Sequence, residues 1–109
     1  MNIEKLRELG ANVDEGLERC MGMEDCYREM RELGLSDERF EALGKALEEG
    51  DLDGAFNDAH ALKGVVGNLA LTPLYETVSE ITENLRAKVQ TDYEAIYKKI
   101  LSQREAFLQ

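Results

Sequence analysis

The feature that most restricts this chain is the spacing of apolar residues between positions 52 and 69. Leu52, Ala55, Phe56, Ala59, Leu62, Val66 and Leu69 recur at intervals of three and four, which places them on one face of a helix and on no face of a strand. Gly64 and Gly67 interrupt that helix at a combined cost of about 2 kcal/mol relative to alanine. A cost of that size calls for a packing or functional reason. The same stretch holds the only histidine of the chain, His60.

Taken in order, the rest of the chain is also helical in pattern, punctuated by glycine. Residues 2–9 read as a short helix closed by Gly10. Asn12 with Glu15 three positions on forms a capping box that opens a second, ended by Gly22. These two predict a cap or hairpin rather than bundle members. Glu24 to Leu33 follows, with Tyr27, Met30 and Leu33 on one face and Gly34 as its stop. Ser36 then caps a helix whose core face is Phe40, Leu43 and Leu47, with Asp37 and Glu38 at its positive dipole end. Gly50 stops it and Asp51 caps the histidine helix, which runs to about Gly67. Asp51-Leu52-Asp53-Gly54 has the composition of a calcium loop, but the glycine comes too early, and a cap is the better reading. Thr72 caps the next helix with Pro73 in its first position. Its stripe is Leu74, Val78, Ile81 and Leu85. Thr91 and Glu94 form a second capping box, before a helix that buries Tyr93, Ile96, Tyr97, Ile100, Leu101, Phe107 and Leu108. No stretch alternates as a strand does.

The expected fold is therefore all-α, an antiparallel up-and-down four-helix bundle with short N-terminal helices capping it. Residues 1–22 supply those short helices and residues 23–109 the bundle, within one domain, since 109 residues suffice for a single modest core. The net charge of −10 disfavours nucleic acid and anionic membranes as partners, because both demand a basic patch. No apolar run is long enough to span a bilayer, and the charged start Met1-Asn2-Ile3-Glu4-Lys5-Leu6-Arg7-Glu8 lacks the core of a signal peptide. A cytoplasmic location is expected. Cys20 and Cys26 do not have a zinc-ligand spacing and read as reduced, partly buried thiols.

On a helix turning about 100° per residue, His60, Lys63, Gly64 and Gly67 share a side roughly 110° from the centre of the apolar stripe. Helical side chains lean towards the N-terminus, so residues at i+4 and i+7 normally crowd a ring at i. Here both are glycine. The spacing predicts an imidazole standing over bare backbone with one cation a turn away, open to another protein's surface and suited to carrying an anion.

His60-Ala61-Leu62-Lys63-Gly64, continuing through Gly67-Asn68-Leu69 to Thr72-Pro73-Leu74, resembles the signature of histidine-containing phosphotransfer (HPt) domains of two-component phosphorelays. Ala70 departs from it, standing where the family often has glycine. The resemblance implies that His60 accepts a phosphoryl group and Lys63 stabilises it. It makes Gly64, Gly67 and Asn68 candidate docking residues. Thr82 joins them, lying about where the family places a polar group near the imidazole, although an ordinary surface threonine is the plainer reading. The implied partners are response-regulator receiver domains and a hybrid sensor kinase, with Mg²⁺ carried by the receiver and no cofactor of the chain's own. No Walker A or kinase glycine-rich loop is present, so autonomous kinase activity is not expected. A monomer is expected, since no extra apolar stripe is evident. Two rivals stand beside this reading. One is a helical adaptor that binds without phosphate. The other is the HPt piece of a larger sensor kinase, against which the Met1 start and the complete helical pattern argue.

Overall fold

A computed structural model describes residues 3–109, and among these the regular structure is entirely helical. The helices are α1 (Ile3–Glu8), α2 (Val13–Arg19), α3 (Glu24–Leu35), α4 (Arg39–Glu48), α5 (Leu52–Asn68), α6 (Thr72–Arg86) and α7 (Tyr93–Leu108). The expected start of the first helix at Asn2 lies outside the described residues. The molecule measures 41 × 20 × 20 Å. α4 packs on α5, α5 on α6, α6 on α7, and α7 returns to α4. Phe40, Leu43, Leu62, Val66, Leu74, Val78, Ile81 and Ile100 fill the space they enclose, each fully buried.

Local chemistry explains most helix ends. The Asn12 side chain accepts from the Glu15 backbone N–H at 3.2 Å and donates back to the Glu15 carboxylate at 3.1 Å. Asp51 accepts from the Gly54 N–H at 2.9 Å, the cap expected of it. Gly50 turns the chain at φ +74°, a left-handed conformation that costs a residue with a Cβ more than glycine. Three caps fall elsewhere than expected. Ser36 closes α3, its hydroxyl donating to the Glu32 carbonyl at 2.7 Å, while Asp37 accepts from Arg39 at the start of α4. Thr72 is already helical and Leu71 precedes it. Asp92, not Thr91, accepts from the Ala95 N–H at 3.0 Å to open α7.

α3 differs most from the expectation. It continues through Gly34 to Leu35, and its buried face is Tyr27, Arg31 and Leu35. Leu33 is 75 % exposed and Met30 38 %. Gly34 is an interior contact, not a stop: a Cβ there would stand 2.7 Å from Leu69 Cδ1, so its absence lets α3 approach the end of α5. Arg31 is buried because its guanidinium has a partner, donating at 2.6 Å to the Phe107 carbonyl of α7. Burial pushes that guanidinium's pKa down from its ordinary value. α7 is also less buried than its pattern suggests. Ile100 and Phe107 are its fully covered residues, while Tyr93 and Tyr97 lie half-buried and donate their hydroxyls to backbone carbonyls. No helix among the described residues is long and apolar enough to cross a membrane.

Candidate functional site

The site is built on α5. The last four carbonyls of a helix have no partner within it, and here every one of the four finds a partner beyond it. Val65 and Val66 accept from the Leu69 and Leu71 N–H groups in the turn that follows. Gly67 and Asn68 both accept from Arg19 Nη1 of α2, each at 2.9 Å. Past the helix end, Tyr27 of α3 donates to the Leu69 carbonyl at 2.8 Å and the Asn12 N–H donates to Ala70 at 2.8 Å. The segment before α4 thus closes the end of the histidine helix.

About two turns earlier, His60 is exposed. Its ring stacks on that of Phe56, one turn back on the same helix, with centroids 5.7 Å apart and planes inclined by 23°. Arg86 of α6 also lies over Phe56, its guanidinium carbon 5.1 Å from the ring centroid. Lys63 Nζ stands 4.0 Å from a Glu83 carboxylate oxygen and 6.0 Å from the Tyr75 centroid. Glu83 holds Arg86 through its other oxygen at 3.3 Å. One carboxylate on α6 therefore holds both Lys63 and the Arg86 that covers Phe56.

His60, Lys63, Gly64, Gly67, Asn68 and Tyr75 line one open groove of about 550 Å³, which Glu15 and Arg19 of α2 also border. The two glycines have different roles. A Cβ on Gly64 would meet nothing within 4 Å, so this position is bare towards solvent. A Cβ on Gly67 would press on the Tyr75 ring at 3.1 Å, so this position makes room within the protein as well as bordering the groove. The Asn68 side chain is exposed at the groove's end.

Thr82 does not belong to this surface. It is fully buried and donates to the Val78 carbonyl at 2.7 Å, satisfying its hydroxyl within α6, so it can neither dock a partner nor act as a surface threonine. Among the described residues, no group of three or more histidines, cysteines, aspartates or glutamates gathers as a metal site.

Comparison with known protein families matches residues 33–106 to the Hpt domain, more than half of the chain. The chain belongs to the Hpt domain family. Membership brings histidine phosphotransfer within two-component phosphorelays and interaction with receiver domains. Hpt domains carry phosphoryl groups and are not kinases. Comparison with curated proteins and with solved structures returned no match. In this Hpt domain, the matched region begins near the end of α3, so the Arg19, Tyr27 and Asn12 contacts that close α5 come from outside it.

His60, Lys63, Gly64 and Gly67, which their helical spacing groups on one side, line one groove, and Asn68 borders it as well. Phe56, Tyr75, Glu83, Arg86 and Arg19 are the site residues that sequence reasoning missed. Phe56 was detectable: it stands four residues before His60, a spacing that brings two side chains into contact on a helix, yet it reads as core because it is apolar. The others arrive from α2 and α6, and no local spacing announces them.

Proposed function

We propose that His60 is the phosphoacceptor of this Hpt domain, taking a phosphoryl group from the aspartate of one receiver domain and passing it to that of another. The observation that carries the reading is an exposed imidazole, backed by Phe56, in a groove that also presents Lys63 and the bare Gly64. A neutral ring nitrogen attacks phosphorus in line. The N–P bond forms as the acyl-phosphate P–O bond breaks, the receiver's carboxylate leaves, and the second ring nitrogen releases its proton to solvent. The product sets a dianion beside Lys63, whose contact with Glu83 is long and readily exchanged for phosphate oxygens. Mg²⁺ for the transfer resides on the receiver, and the chain supplies no cofactor.

The ring of neighbours α4–α7, joined by short connections, supports an antiparallel four-helix bundle, with residues 1–22 as its cap and residues 23–109 carrying the bundle. The chain works as a cytoplasmic monomer that docks one receiver at a time, downstream of a hybrid sensor kinase. Incubation with a phosphorylated receiver and Mg²⁺ tests the assignment. Acid-labile label should appear on the chain and be absent from His60→Gln at unchanged helical content. Label persisting on that variant overturns it. Receiver binding that survives His60→Ala, with no transfer from any receiver, points instead to a phosphate-independent adaptor.

A further inference from the structure

α2 ends at Arg19, and the residues after it reverse the chain tightly. Met21 has φ +56° and Gly22 φ +79°, two consecutive left-handed residues. The reversal brings Cys20, at the C-terminal cap of α2, back to the first turn of α3, where Cys26 sits. Met30 follows one helical turn later on the same face. Cys20 Sγ lies 3.4 Å from Met30 Sδ, and Cys26 Sγ lies 3.9 Å from it. Cys20 is 2 % exposed, Cys26 is half-buried, and Met30 is 38 % exposed, so the cluster opens to solvent on the methionine side. Hydrogen bonding with Cys26, then burial, pushes the Cys20 thiol up to about 11.

We propose that Cys20, Cys26 and Met30 form a three-sulfur binding site for Cu(I). The donor set is two thiols and a thioether. Zinc takes four ligands from cysteine, histidine and carboxylate, whereas thiolate and thioether sulfurs together select the softer Cu(I). A metal about 2.3 Å from each of three sulfurs in a plane requires them about 4 Å apart. The Cys26–Met30 separation already meets that, and the Cys20–Met30 separation opens to it with a small turn of the flexible methionine. Binding releases two protons: Cu⁺ replaces the hydrogens of both thiols, and the resulting dithiolate–Cu(I) unit carries one negative charge. The Cys26 share of that charge lies in the first turn of α3, at the positive end of its dipole.

The test is anaerobic titration of the reduced full-length chain with Cu(I) held by the chromophoric chelator bicinchoninate. The chain should withdraw one Cu(I), with affinity rising steeply with pH, up to about a hundredfold per unit because two protons leave. Cys26→Ser should weaken retention at least a hundredfold and Met30→Leu about tenfold, both at unchanged helical circular dichroism. His60→Gln should bind as the parent does. Failure to withdraw copper overturns the proposal. So does Met30→Leu binding as tightly as the parent, or a loss of two mass units per chain without bound copper, which marks a disulfide instead.

Discussion

Two residues show how much one side chain decides here. Gly64 costs its helix about 1 kcal/mol in propensity, and no neighbour within the protein requires it. Gly64→Ala should therefore stabilise the fold by about that amount in urea denaturation. Gly64→Trp should fold but lose most phosphotransfer from a receiver, because the ring would occupy the space a partner needs. Normal transfer by a folded Gly64→Trp would remove the steric argument. Ala70 is the opposite case. It takes the left-handed conformation at φ +57°, which costs an L-residue roughly 1 kcal/mol or more. Ala70→Gly should raise the unfolding free energy by about 1 kcal/mol, seen as a higher denaturation midpoint, without altering transfer. The departure from the family pattern thus affects stability at the turn and leaves the histidine untouched.

At the scale of elements, the histidine helix depends on helices that precede it in sequence. Arg19 serves two carbonyls at the end of α5 and also pairs with Glu15. Arg19→Ala should cost about 1 kcal/mol, discounted because the guanidinium is partly exposed. The loss should be local. Amide exchange should quicken at Ala70 and Leu71 while Val78 and Ile81 stay protected, and uniform quickening would show that Arg19 supports the whole fold rather than this end. The capping residues of α2 and α5 were legible in the sequence because a cap is a contact over three residues. The inner face of α3 was not. Tyr27-Met30-Leu33 and Tyr27-Arg31-Leu35 are both helical stripes, and the carbonyl that makes a buried Arg31 tolerable belongs to Phe107, far along the chain.

At the scale of the whole molecule, acidity shapes the pH response. Asp58, half-buried on α5, has its carboxyl pKa raised, chiefly by burial, with Arg39 opposing and Asp51 and Asp37 adding. A carboxyl whose folded pKa exceeds its unfolded value destabilises the fold when ionised. The penalty is absent below the unfolded pKa and complete once pH passes the folded one. Asp58→Asn should accordingly raise the melting temperature at pH 7 relative to the parent and leave it unchanged near pH 3. An equal shift at both values would place the cause in packing instead of ionisation.

Helical class, the sites of most chain breaks, and the grouping of His60, Lys63, Gly64 and Gly67 on one side of one helix were determined by sequence alone, because each depends on residues within a turn or two of one another. Tertiary structure decided what surrounds that side. Glu83 and Arg86 come from α6 and Arg19 from α2, Gly67 yields its space to Tyr75, and Thr82 is sealed in the core. The periodicity of a helix says which residues share a face, but only packing against other helices says which face is covered and by whom.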